Sequence, residues 1–168
     1  MNTLRRIALL LVLTVCALGS THAANETAPT LEPLSNFPQT TLTIITPNGR
    51  QHLFNIWVAD TDAHREQGLM MVKTLTPNTG MLFIFDQPER IQMWMKNTLI
   101  PLDMLFIDAE GRIDSIAANT TPMSLKIIDA QRPVLAVLEI AGGASAKAGI
   151  KIGAIVKYSA FEKKRGDR

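Results

Sequence analysis

The chain has 168 residues, 46% of them hydrophobic and 19% charged, with a single cysteine and a formal charge of +2. One cysteine excludes an internal disulfide and a thiolate-built metal site. A charge this close to neutral lacks the basic footprint of a nucleic-acid binder, and the length suits one domain.

Residues 1–23 read as a secretory signal peptide. Arg5 and Arg6 form the charged start, residues 7–18 are apolar apart from Thr14, and Gly19-Ser20-Thr21-His22-Ala23 offers small residues before a cut after Ala23. The apolar run is too short to span a bilayer. Leu13-Thr14-Val15-Cys16 is the weaker alternative, a lipoprotein box at Cys16, because Val15 stands where a small residue is expected. The expected location is therefore the periplasm, or outside the cell. Removing 23 residues leaves 145, without cysteine and with 15 basic against 15 acidic side chains.

Residues 24–40 are polar, carry Pro29, Pro33 and Pro38, and read as a flexible linker. Strands are expected over 41–46 and 51–58, joined by Pro47-Asn48-Gly49-Arg50, whose Asn-Gly pair favours a tight hairpin. A short helix should start at Thr61 or Asp62 and end at Gly68. Strands follow over 81–85, 91–97, 102–108, 113–117, 134–140 and 154–158. Residues 109–112 close a second hairpin with Gly111 left-handed. A second helix is expected over 144–148, ending at Gly149, and residues 162–168 form a charged, frayed tail. Many short strands with frequent turns predict a mainly β (α+β) domain over 41–161: single, antiparallel-rich, barrel-like or sandwich-like, with one or two short helices.

The runs 81–85, 102–107 and 134–140 are apolar on both faces, as in strands covered on both sides. Two of them hold one carboxylate each, Asp103 and Glu139. A buried carboxylate costs several kcal/mol unless something pairs it. Arg65 can serve an acid as a bidentate partner, and a structural ion-pair network is the favoured reading of these acids. In 91–98, period-two alternation puts Gln92, Trp94, Lys96 and Thr98 on one face and Met93, Met95 and Asn97 on the other. The first set suits a cleft: Trp94 offers a stacking surface and Lys96 and Thr98 offer donors. The bland reading is a solvated strand face.

Other chemistries are weaker. His52 and His64 lack ligand spacing, so no metal is expected, nor any cofactor. Ser115, Ser124, Ser145 and Ser159 lack the nucleophile elbow. Ala141-Gly142-Gly143-Ala144-Ser145 reads as a tight strand-to-helix turn rather than an anion cradle.

Several blocks occur in order: Val58-Ala59-Asp60-Thr61, Arg65-Glu66-Gln67-Gly68-Leu69-Met70 and Gly80-Met81-Leu82-Phe83. Trp94-Met95-Lys96-Asn97-Thr98, Pro101-Leu102-Asp103 and Val137-Leu138-Glu139-Ile140-Ala141-Gly142-Gly143 complete the series. Together they resemble the family known as domain of unknown function 192 over about residues 42–158. Met71-Val72-Lys73 departs from its usual glycine or arginine after the Gly-Leu-Met block. The resemblance implies a compact, β-dominated, often exported domain and implies no activity.

The leading functional expectation is a monomeric exported domain that binds a small ligand or an envelope partner without catalysis. Its cleft is expected at Trp94, Lys96, Asn97 and Thr98, with Arg65 and Asp103 nearby. The rival is a hydrolase of envelope glycan using Asp103 and Glu139, which needs the two carboxyl groups about 5–10 Å apart. A third reading is purely structural, with the polar cluster locking residues 99–101.

Overall fold

Alternating apolar residues build the first hairpin in the computed structural model, which describes residues 30–166, with side chains to residue 162. The signal peptide, its cleavage near Ala23 and the box at Cys16 lie outside the described residues. β1 (Gln39–Ile45) and β2 (Gln51–Ala59) pair antiparallel and bury Leu42, Ile44, Phe54, Ile56 and Val58 on one face. Gly49 turns the chain between them at φ 81°, a left-handed conformation that glycine adopts without steric cost.

After β2, helix α1 (Asp62–Gln67) starts at Thr61, whose side chain accepts from the His64 N–H, and ends at Gly68. The chain returns as β3 (Thr79–Glu89), parallel to β2. Every other strand pairing among the described residues is antiparallel. The parallel pair follows from the crossover through α1, since parallel neighbours need a long connection. Next come β4 (Gln92–Met93), β5 (Leu102–Ile107), β6 (Ile113–Ala117), β7 (Ile128–Asp129) and β8 (Val134–Ala141). α2 (Ala144–Ala148), β9 (Ile155–Lys157) and α3 (Ser159–Gly166) end the chain.

Seven strands form one sheet in the order β6-β5-β8-β3-β2-β1-β9, while β4 and β7 form a separate ribbon. The large sheet curls into a half-barrel whose ends approach each other. The Val156 N–H donates to the Gly111 carbonyl at 2.7 Å, and Arg112 bridges to Ile155. Gly111 sits at φ 79°, and a Cβ there would lie 2.6 Å from the Val156 carbonyl oxygen, so the seam admits only glycine.

Two cores flank this sheet. The inner one gathers Leu42, Ile44, Phe54, Leu105, Leu138, Val156 and Phe161. The outer one gathers Phe37, Leu69, Met81, Phe83, Met95, Met104 and Val137. β3, β5 and β8 stand between the two, which is why they read as apolar on both faces.

Three stretches differ from expectation. The strand expected over 91–97 shrinks to β4, because Lys96-Asn97 turns and Asn97 takes φ 55°. Part of the expected linker is docked: Phe37 is buried and stacks on His64 at 4.1 Å, and the Glu32 backbone exchanges two hydrogen bonds with the Gln67 side chain. The tail expected to fray begins within α3, which Phe161 anchors in the inner core. Among the described residues no helix is long and apolar enough to cross a membrane.

Candidate functional site

Register decides where the two buried acids point. Across β5 and β8, Asp103 faces Ile140 while Met104 faces Glu139. Neighbouring positions on a strand alternate faces. Asp103 therefore falls on the inner face, with Leu105 and Ile107, and Glu139 on the outer face, with Val137 and its cross-strand neighbours Met81 and Met104.

Asp103 is fully buried and fully served. It accepts from the backbone N–H groups of Asn119 (2.8 Å), Gly143 (2.9 Å) and Ser145 (2.9 Å), and from the Ser145 hydroxyl (2.5 Å). Burial pushes its pKa up, but these hydrogen bonds outweigh burial and hold the carboxyl below its ordinary value. This carboxylate fastens the start of α2 and the segment after β6 to the sheet. It does not line the cleft described next.

Glu139 is the reverse case. It is only 4% exposed, and its carboxyl has no hydrogen-bond or ion-pair partner among the described residues. Desolvation alone pushes its pKa up to about 8. It lies at the floor of a cleft of about 240 Å³, beside Phe83 and Phe85 of β3. The end of α1 and the turn after it (residues 65–70) form one wall. Gln92, Met93, Trp94, Lys96 and Thr98 form the other.

Both walls are held by backbone. Gly68 takes φ 49°, and a Cβ there would sit 3.0 Å from Phe83 Cζ, so glycine lets α1 end directly against the floor. Arg65 donates to the carbonyls of Asp60 (2.8 Å) and Ile84 (2.7 Å), pairs with Asp62 at 2.6 Å, and lies 5.3 Å from the Phe85 ring centroid. Where the two walls meet and behind them, Met71, Asn97 and Met123 all have left-handed backbone, at φ 61°, 55° and 59°. The Met71 N–H donates to the Asn97 carbonyl (2.9 Å) and the Met123 N–H to the Thr98 carbonyl (3.0 Å). Left-handed residues other than glycine are costly and concentrate where the surroundings impose them. Met95 points into the outer core, so Trp94 and Lys96 point out. Trp94 is 43% exposed, and the Lys96 ammonium lies 5.0 Å from its ring centroid.

Of the residues singled out from sequence, the fold brings Arg65, Trp94, Lys96 and Thr98 to one cleft. Asn97 shapes the wall through its backbone, its side-chain nitrogen 3.9 Å from the Met70 sulfur. Asp103 stands on the other face of the sheet. The expected ion-pair network around the acids gives way to a different arrangement: Arg65 serves main-chain carbonyls and Asp62, and Asp103 is held by hydrogen bonds. The paired-carboxylate geometry is also unmet, since Asp103 and Glu139 face opposite layers. Glu139 instead joins the Trp94 cleft. The aromatic floor carried a signal in sequence, because Phe83 and Phe85 sit two apart and share a strand face.

The chain matches the family DUF192, described as Uncharacterized ACR, over residues 43–158. Among solved structures, a Sinorhizobium meliloti 1021 protein described as a "putative transcription regulator" is 39% identical. That match has a TM-score of 0.72 and covers 74% of this chain and 96% of the other. A protein of unknown function from Novosphingobium aromaticivorans DSM 12444 is 38% identical, with a TM-score of 0.72, over 83% of this chain and 99% of its own. No curated protein matches the chain.

Proposed function

This chain belongs to the DUF192 family, and we propose that it is an exported, monomeric binding domain that holds a small ligand in the Glu139 cleft without catalysing a reaction. Glu139 carries the reading. A carboxyl that is desolvated, has no donor among the described residues and opens to a cleft is a hydrogen-bonding group left for whatever fills that cleft. A bound ligand satisfies it at no cost to the fold. Trp94 beside the cleft adds a broad, semi-exposed face of the kind that ligands cover.

The hydrolase alternative lacks its second acid, because Asp103 is committed to four donors on the opposite face. A regulator of transcription, by analogy with the S. meliloti relative, draws no support from a chain of formal charge +2. A library of small metabolites and envelope fragments, screened by thermal shift on the protein expressed from its full-length sequence, tests the binding reading. A specific binder at about one hundred times its Kd adds roughly 2.7 kcal/mol of apparent stability. The shift should vanish in Trp94→Ala. A library without a single Trp94-dependent binder would sink the proposal.

A further inference from the structure

We infer that the ligand of this cleft carries a primary ammonium group, which the Glu139 carboxylate receives at the floor while the uncharged body of the ligand lies against Phe85 and Trp94. The inference rests on the binding reading above and names the chemistry of that same site.

The floor is apolar except for one group. Met81 and Met104 flank Glu139 on the neighbouring strands, and Phe83 and Phe85 lie beside it. A carboxylate offers two oxygens with about four acceptor positions, and none of the described residues donates to them here. An ammonium group brings three donors and the opposite charge; a hydroxyl brings one donor and no charge. An anion brings no donor and would oppose the ionised form of the acid.

The other charged groups facing the cleft do not take over this role. Arg65, on α1, is spent on the Asp60 and Ile84 carbonyls and on Asp62. Glu66, also on α1, and Lys96, on the opposite loop, are both exposed at the mouth. The neighbouring positions on β3 and β5 hold methionine, so no titratable side chain flanks Glu139 within the sheet. Glu139 is therefore the sole acid at depth among the described lining residues, while the part-buried Arg65 guanidinium is held by its own acceptors.

Binding is then linked to a proton. In the empty cleft Glu139 holds its proton until about pH 8. A cation favours the ionised form, so one proton leaves for each ligand bound. Affinity for an ammonium should rise about tenfold per pH unit up to that midpoint and then level off.

Three probes with the same number of carbons separate the possibilities: propylammonium, propanol and propionate. Each is titrated into the full-length protein up to about 0.1 M, above the roughly millimolar range that fragments reach. Carbon NMR of the Glu139 carboxyl and the indole N–H signal of Trp94 are followed together. The expected result is that propylammonium alone lowers the Glu139 midpoint and shifts Trp94, about tenfold more tightly at pH 7 than at pH 6. Glu139→Gln, a neutral isostere of the protonated acid, should fold and lose the preference for ammonium over propanol. If propanol or propionate shifts Trp94 while propylammonium leaves Glu139 unmoved, the ammonium class is overturned and the cleft reading stands. Silence from all three probes also overturns the ammonium class; the library screen decides the cleft independently.

Discussion

Asp103 and Glu139 lie one residue apart in cross-strand register, yet the sheet treats them in opposite ways. On the inner face Asp103 meets four donors, three of them backbone N–H groups of the turns it holds. On the outer face Glu139 meets methionine and phenylalanine and, among the described residues, no donor. Both acids are buried, and their pKa values move apart, Asp103 down and Glu139 up. Burial alone therefore does not distinguish a structural acid from a site. The count of fixed donors does. The inner layer uses its carboxylate to close the fold, and the outer layer leaves one open toward a cleft.

The sharpest way to break this contrast is Asp103→Asn. The amide keeps one acceptor oxygen and sets an NH₂ group among N–H donors, stranding them in a dry site. Unfolding by urea should show a loss of about 3–5 kcal/mol, as for a broken buried charged network. A loss below about 1 kcal/mol would mean that Asp103 is not what ties α2 to the sheet. Its contribution is present above the ordinary carboxylate range and should fade as acid brings the pH down through the depressed folded pKa.

Glu139→Gln should act with the opposite sign. The folded pKa, about 8, lies above the ordinary value of 4.5, so between these limits the folded state holds a proton that the unfolded state has lost. Stability from this group is present in acid and declines as the pH rises, by roughly 1 kcal/mol per pH unit, levelling off above the folded midpoint. The glutamine variant lacks that decline. Urea midpoints of both proteins should converge near pH 5 and separate toward pH 8, with the variant the more stable. Parallel curves would show that Glu139 already has a partner.

Much of this contrast was legible before folding, though not its sense. Local signals held where chemistry is local: Gly49 and Gly111 at positive φ, the Thr61 cap, and the stops at Gly68 and Gly149. The doubly apolar runs correctly marked the central strands. Alternation over 91–98 sent Trp94, Lys96 and Thr98 to one side, although little of that stretch is strand. Which acid shares that side depends on the β5–β8 register and on β8 lying between β5 and β3. Those are long-range pairings that no local window contains. The donors to Asp103 are likewise backbone groups of Asn119, Gly143 and Ser145, invisible as side-chain motifs.

Lys96→Met gives the smallest stability effect and the cleanest separation of binding from architecture. Among the described residues the Lys96 ammonium makes no hydrogen bond or ion pair and only rests 5.0 Å from the exposed Trp94 ring. An exposed cation–π contact contributes about 0.5–1 kcal/mol, and methionine recovers part of it by keeping the apolar stem against the indole. The urea midpoint should therefore move by less than about 0.5 kcal/mol. Meanwhile the affinity of any Trp94-dependent ligand should change, because the charge at the mouth has gone. A loss of more than about 1 kcal/mol would make Lys96 structural, a group that holds the 94–101 loop in shape as Asp103 holds the start of α2. The outer face would then be architecture as well, and Glu139 an isolated flaw in it rather than the floor of a site.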